Sequence, residues 1–277
     1  MNMAKRARSD LRATVKSGRR VGALKLLSVV ALTCTVAILF GQGGRLVSAA
    51  PTNGGALTVG EDANFYGSWP SLDPTTSTHS VGEVPFFDAI FGDLFAQGPK
   101  GQLVPDLATG YNFANSGKTL VLHLRHGVRF SDGTPFNAAA VAFNFTRNLD
   151  PKNASAALQT SSAISSVTTP DNYTVDLHLS RPDAELPDAF LTYPTNYVVS
   201  PTAFRKMGLK AFSLKPVGAG PFEVVSNDPS QSLVLKRNPL YWQKGLPHLN
   251  TLKFIAIAND QSAYDALLTG QIQAYQP

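Results

Sequence analysis

Residues 122–138 read LHLRHGVRFSDGTPFNA and join two predicted secondary-structure elements through a turn. Apolar and polar residues alternate over 119–124, which predicts a strand with one buried face. Residues 131–135 predict the turn, because their aspartate can accept a hydrogen bond from a nearby backbone N–H and their glycine can adopt positive φ. Residues 137–148 then repeat apolar side chains at helical spacing. The region therefore predicts a strand, a turn and a helix in succession.

Similar patterns recur on both sides of this region. The other predicted strands are residues 56–59, 173–179, 197–199, 222–225, 233–236 and 252–257. The other predicted helices are residues 84–95, 186–190 and 262–268. Strands interleave with helices but lack the strict repetition of a barrel, so the sequence predicts an α/β fold with mixed β-sheets.

The charge of the chain is unevenly distributed. The 277 residues carry a net charge of +5, but residues 1–50 hold nine Lys and Arg against one acid. Residues 51–277 therefore contain 15 basic and 18 acidic residues, a net charge of −3. A basic face for phosphate contacts has no support in this composition, and we expect no nucleic-acid partner.

The first 49 residues have the pattern of an export signal. A basic stretch precedes an apolar run over residues 26–40, and Val47, Ser48 and Ala49 offer small residues at a cleavage site. An uncleaved amino-terminal anchor remains an open alternative. Either way, the sequence predicts an exported body, in the periplasm or at the outer face of the cytoplasmic membrane. The one cysteine, Cys34, lies in this leader, so no disulfide is expected in the body.

Several short segments of the body resemble a single family, in the same order along the chain. These segments are residues 104–108, 117–120, 122–138, 216–222, 235–242 and 267–272. The residues that carry the signature are Leu124, Arg125, Gly127, Val128, Phe130, Asp132, Gly133, Pro135, Gly218, Gly220, Pro221, Arg237, Asn238, Tyr241 and Trp242. The sequence resembles family 5 of the extracytoplasmic solute-binding proteins, the peptide/nickel-type binding components of ABC importers. Gln273 departs from the family pattern, which has an acidic residue there.

The resemblance implies a fold and a domain plan. The implied fold is periplasmic-binding-protein-like, of type II and cluster C, with mixed sheets and truncated before the second lobe. Domain I would comprise residues 50–80 and 201–277, and domain II would be an insertion over residues 81–200. On this plan, domain III would be absent from this chain. Because such proteins close two lobes over a ligand, we expect this chain alone to bind solute weakly.

The resemblance also implies the partners. They are a peptide or other small-molecule ligand and the ABC permease subunits in the membrane, with no cofactor, no metal and no catalytic residue. Two alternatives stay open. The chain is a truncated remnant or fragment without a binding role, or it is an extracytoplasmic hydrolase. We found no motif for a paired nucleophile and base, which argues against the hydrolase.

The loop after the first predicted strand holds the candidate ligand contacts. Loops at strand ends commonly meet ligands, and this one combines aromatic surface with hydrogen-bonding groups. The candidates are Asn64, Phe65, Tyr66, Ser68 and Trp69, with Tyr197 as a weaker sixth. The alternative is that the aromatic residues pack between domains. His123 and His126 are expected to diverge on a strand and its turn, so we expect no metal site there.

Overall fold

The structure is a computed structural model that describes residues 53–63, 71–76, 82–190, 194–229 and 231–276. The predicted export signal and the five candidate ligand residues of the 64–69 loop lie outside these ranges. Among the described helices, none has both the length and the apolar character needed to span a bilayer.

Strands and helices alternate along the described ranges. The strands are β1 (Ala56–Asp62), β2 (Phe95–Gln97), β3 (Leu103–Pro105), β4 (Ala108–Ala114), β5 (Thr119–Leu124), β6 (Ile164–Asp171), β7 (Thr174–Leu179), β8 (Phe222–Asp228), β9 (Ser232–Arg237), β10 (Thr251–Ile257) and β11 (Ala274–Gln276). The α-helices are α1 (Val84–Ile90), α2 (Ala138–Leu149), α3 (Ala157–Thr160), α4 (Leu186–Ala189), α5 (Pro201–Leu214) and α6 (Asp260–Leu268). The fold is mixed α/β, as the sequence predicts.

A five-stranded mixed sheet contains strands from both ends of the described chain. Its order is β11-β1-β10-β9-β8, and β1 runs parallel to both of its neighbours. The β8–β9 hairpin adds the antiparallel half of the sheet. Phenylalanines of α1 pack on one face of this sheet, where Phe86 meets Phe254 edge to face with ring centroids 4.6 Å apart. Each such burial stabilises the fold by about 1.5–3 kcal/mol.

A four-stranded antiparallel sheet forms from the middle of the chain. Its order is β4-β5-β7-β6, and its core is covered by α2. β5 has the predicted bounds, and its Leu120, Leu122 and Leu124 are buried on one face. The predicted helix start at Asn137 is the N-cap of α2, since its side chain accepts a hydrogen bond from the backbone N–H of Ala140 at 3.0 Å.

Two predicted elements differ from the structure. The helix predicted over 84–95 ends at Ile90, because Gly92 adopts a φ of +66° that breaks helical geometry. Phe95 instead begins β2. The strand predicted over 197–199 is wrong, since Tyr197 makes only an isolated antiparallel bridge with Asp93. In both places the chain crosses between the two sheets, so tertiary contacts determine its path.

Candidate functional site

Three chain segments cross between the two sheets, and we call them the junction: residues 90–94, 196–200 and 216–221. Backbone hydrogen bonds tie them together. The N–H of Leu94 donates to the carbonyl of Asn196 at 2.9 Å, and the N–H of Gly220 donates to the carbonyl of Ile90 at 3.0 Å. The junction is therefore a hydrogen-bonded seam rather than a set of loose linkers.

The glycines of the family-like segment 216–222 fit this seam closely. A Cβ on Gly218 would lie 2.2 Å from the Ile90 carbonyl oxygen, and one on Gly220 would lie 2.7 Å from the Ile90 carbonyl carbon. Both obstacles are backbone atoms that cannot rotate away. These two positions need glycine because the backbones of two segments meet there.

The turn after β5 is also anchored to the junction. Asp132 accepts a hydrogen bond from the Thr134 N–H at 2.9 Å, and its other oxygen accepts one from the Ser200 hydroxyl at 2.7 Å. Gly133 has a φ of +83°, as the turn prediction requires. The aspartate therefore joins its own turn to the second crossing segment.

The segment after β9 closes the seam from the other side. Asn238 donates through its side-chain amide to the Gly220 carbonyl at 2.8 Å, and its backbone N–H donates to the Pro221 carbonyl at 2.9 Å. The guanidinium of Arg125 lies 3.8 Å from the ring centroid of Trp242. Among the signature residues, Asp132, Gly218, Gly220 and Asn238 thus contribute contacts to the junction.

The candidate binding region lies elsewhere, where the three parallel strands of the five-stranded sheet end. We call this the carboxyl edge: Glu61 and Asp62 of β1, Ile257 of β10 and Gln276 of β11. β10 and β11 flank β1 on either side, and α6 connects them. In open α/β sheets, ligands bind outside the carboxyl ends of strands whose connections leave in opposite directions. The loop predicted to meet ligand leaves the sheet here, directly after β1.

Glu61 is the unusual residue of the carboxyl edge. It is fully buried, and neither of its carboxylate oxygens has a hydrogen-bond partner among the described residues. Burial raises its pKa from 4.5 to about 8, so it carries a proton at neutral pH. Sequence reasoning missed this residue. The sequence did contain a signal of its burial, because Glu61 lies on the same face of β1 as the inward-facing Leu57 and Val59.

Other polar groups make the carboxyl edge acidic. The Tyr275 hydroxyl donates to a carboxylate oxygen of Asp260 at 3.0 Å. Desolvation, this hydrogen bond and the nearby charges of Asp260, Asp62 and Glu61 raise the Tyr275 pKa to about 12. The edge therefore presents acidic groups and one tyrosine, a set suited to a hydrogen-bond donor or a cation.

Gln273 has a specific role where the family pattern has an acid. Its side-chain oxygen accepts a hydrogen bond from the Thr58 N–H at 2.9 Å, and its amide donates to the Gly270 carbonyl at 2.8 Å. A carboxylate could replace the first bond but could not donate the second. The glutamine thus fixes the entry to β11 beside β1.

The remaining predicted site residues lie apart from the carboxyl edge. Tyr197 is buried in the junction, and its hydroxyl donates to Asp88 at 2.9 Å. His123 pairs with the Asn112 side chain at 2.7 Å, while the His126 ring stacks on Tyr173 with centroids 3.7 Å apart. The two histidines have separate partners, and the described residues contain no group of three side chains placed to hold a metal ion.

The fold, with its two larger sheets, belongs to a known class, the type II periplasmic binding proteins. AgaA from A. tumefaciens R10, solved in complex with agropinic acid, has a TM-score of 0.69 and 28% identity over 79% of this chain and 43% of its own. OppA from Burkholderia pseudomallei has a TM-score of 0.70 and 22% identity over 82% of this chain and 46% of its own, which shows the fold alone.

The family follows from the sequence. Residues 102–277, more than half of the chain, match the model of the bacterial extracellular solute-binding proteins, family 5. The chain belongs to this family. Among curated relatives, the glutathione-binding protein GsiB from Escherichia coli O1:K1 is 30% identical over 217 residues, which cover 78% of this chain and 41% of GsiB. The chain thus spans about two fifths of the length of this relative.

Proposed function

We propose that the chain acts as the extracytoplasmic substrate-binding component of an ABC importer, which captures a peptide or similar small solute and delivers it to a membrane permease. Membership of family 5 carries this proposal. GsiB, a relative at 30% identity, is named for binding glutathione, which is a tripeptide. Binding without chemistry agrees with the sequence, which lacks a nucleophile–base motif.

The solute contacts in this proposal are Asn64, Phe65, Tyr66, Ser68 and Trp69, in the loop that follows the carboxyl edge. The position of β1 between two parallel neighbours supports this choice. The acidic groups of the edge suit a solute with an ammonium group, such as a peptide amine. Tyr197 remains a prediction, and its bond to Asp88 gives it a structural role in the junction.

The same proposal keeps the domain plan. Domain I would take residues 50–80 and 201–277, and domain II would take residues 81–200. The sheets support it, because the five-stranded sheet draws its strands from 56–62 and 222–276, while the four-stranded sheet lies within 108–179. The export signal over 1–49 would deliver the protein to the compartment in which the importer collects its solute.

Calorimetric titration of the full-length gene product tests the function. Glutathione, dialanine and trialanine are the probes, and each is recovered and analysed by chromatography after the titration. We expect saturable heat from at least one probe and recovery of every probe unaltered. If any probe were cleaved, the protein would be a hydrolase and not a binding component of an importer. If none of the peptide probes gave heat, the proposed solute class would be contradicted.

A further inference from the structure

Three aspartates meet at the junction from different parts of the chain. Asp88 lies on α1, Asp93 on the first crossing segment, and Asp106 directly after β3. The backbone N–H of Asp93 donates to a carboxylate oxygen of Asp106 at 3.2 Å. The Tyr197 hydroxyl donates to Asp88 at 2.9 Å. These bonds hold three carboxylates close together at the point where the two sheets connect.

The positive charge facing this cluster is smaller than its potential negative charge. Arg125, at the end of β5, contributes one guanidinium, and its Nε donates to the backbone carbonyl of Asp106 at 2.8 Å. The other titratable groups that face the cluster are Tyr197 on the second segment and Tyr241 after β9. Both are neutral as phenols. Asp88, Asp93 and Asp106 are partly buried. Full ionisation would therefore place three partly desolvated carboxylates against one guanidinium.

One carboxylate oxygen of Asp93 shows how the cluster can avoid carrying three negative charges. Its Oδ1 is buried and accepts no hydrogen bond from the described residues. Asp88 is the carboxyl group that can pair with it. A proton on Asp93 turns this unsatisfied acceptor into a donor toward the Asp88 carboxylate. Two carboxyl groups that share one proton are a stable arrangement where two adjacent charges are not.

The electrostatics of the cluster agree with a bound proton. Burial, together with the Asp88 and Asp106 charges, raises the pKa of Asp93 well above 3.8. Burial also raises the pKa of Asp88 to about 6, while the Tyr197 hydrogen bond opposes it. Burial raises the pKa of Asp106 to about 6, against the opposing effect of its hydrogen bond from Asp93 and the Arg125 charge.

We propose that Asp88, Asp93 and Asp106 form a proton-dependent lock at the junction, in which a proton shared between Asp93 and Asp88 holds the two sheets together and its release loosens their connection. The backbone hydrogen bonds of the Leu94 and Gly220 amides tie the junction segments together. These segments separate more readily when the cluster is fully ionised. The lock does not depend on which solute the protein binds or on whether it binds one.

The direction of the pH effect follows from linkage. Acids with raised pKa values in the folded state favour folding when they are protonated. Their contribution is complete below about pH 4, the unfolded value, and is lost as the pH rises through about 6 and beyond. The connection between the sheets is therefore tight at mildly acidic pH and weaker at alkaline pH.

Asp93→Asn in the full-length protein tests the lock, because the asparagine amide imitates the protonated acid and cannot lose its proton. We expect the melting temperature of the native protein to fall between pH 5 and pH 8, and the fall to be smaller by about one third or more in Asp93→Asn. Asp228→Asn, at an exposed strand end, is the matched control and should follow the native curve. Glu61 titrates in the same direction but is present in all three proteins, so the difference between curves isolates the cluster.

Amide hydrogen exchange gives a local readout of the same lock. At pH 8, the Leu94 and Gly220 amides should exchange more slowly in Asp93→Asn than in the native protein, while amides of the β4–β5 hairpin should not change. Asp88→Asn replaces Asp93→Asn if the latter does not fold, with the same expected direction. The proposal would be overturned if the melting temperatures of Asp93→Asn and the native protein fell equally between pH 5 and pH 8. It would also be overturned if side-chain carbon NMR showed all three aspartates titrating near pH 4.

Discussion

Glu61 and Asp73 both have fully buried carboxyl groups, and they lie on either side of the loop predicted to bind ligand. Asp73 forms an ion pair with Arg147, with 2.5 Å between Oδ2 and Nη2, and that guanidinium lies 3.9 Å from the ring centroid of Phe204. Glu61 has no such partner among the described residues. The ion pair therefore offsets the cost of burying Asp73, whereas no described residue offsets the cost of burying Glu61 at the carboxyl edge.

This difference distinguishes a residue that stabilises the fold, Asp73, from a residue at a candidate site, Glu61. Natural folds satisfy buried polar groups, and the exceptions concentrate at functional positions. Asp73 connects the chain after the ligand loop to α2 through Arg147. Glu61 ends the strand from which that loop departs. The comparison supports the carboxyl edge as the functional region, and three substitutions test it.

Asp73→Asn has the largest expected effect. It leaves the Arg147 guanidinium buried without its anion, which typically destabilises a protein by about 3–5 kcal/mol. Urea denaturation measures the change. The double variant Asp73→Asn/Arg147→Met removes both charges and should recover most of the loss. A single variant within about 1 kcal/mol of the native protein would show that the ion pair does not support the framework.

Glu61→Gln should have a smaller effect of the opposite sign. The amide removes the cost of ionising a buried acid, so the variant should be more stable than the native protein by about 1–3 kcal/mol at pH 9. Because burial raises the pKa of Glu61 to about 8, native stability is lost as the pH rises from about 4.5 through 8. The two proteins should converge below about pH 4.5. Equal stability at both ends of this range would mean that Glu61 has an ordinary pKa.

Glu223→Gln should have the smallest effect. Glu223 pairs with Lys236 at 2.9 Å across the β8–β9 hairpin, but the lysine side chain is 59% exposed. Exposed pairs contribute about 0–1 kcal/mol and weaken with salt. The free energy of unfolding of Glu223→Gln should therefore differ little from that of the native protein in low salt, and the difference should shrink in high salt. A loss comparable to that of Asp73→Asn would remove the distinction between buried and exposed pairs.

Local patterns predicted much of the fold, because short-range rules governed those segments. The alternation of β5 and the Asn137 cap of α2 depend on neighbouring residues, and both are confirmed. β6 was missed because it is an edge strand whose polar residues, such as Ser166 and Thr168, are largely exposed. α5 was missed as well, and its Gly208, with a φ of +73°, interrupts the helical geometry.

The candidate site was less accessible to sequence reasoning. The family-like segments pointed to the right class of protein, but in the structure parts of them, such as Gly218 and Gly220, contribute to the junction. The hydrogen bond from Tyr197 to Asp88 in the aspartate cluster joins residues 109 positions apart, and no local pattern predicts that contact. Asp73 and Arg147 are 74 positions apart. Only the topology of the two sheets brings such pairs together.

Tryptophan fluorescence tests the central claim most directly, since the chain contains only two tryptophans, Trp69 and Trp242. Trp242→Phe leaves Trp69, in the predicted ligand loop, as the reporter, and keeps an aromatic ring beside Arg125. Trp69→Phe leaves Trp242, in the family-like segment that closes the junction. Glutathione, dialanine and trialanine are titrated into each variant of this 277-residue chain. We predict a saturable change in Trp69 emission with at least one probe and a constant Trp242 emission. A response from Trp242 alone, or from neither residue at millimolar probe, would contradict binding at the carboxyl edge.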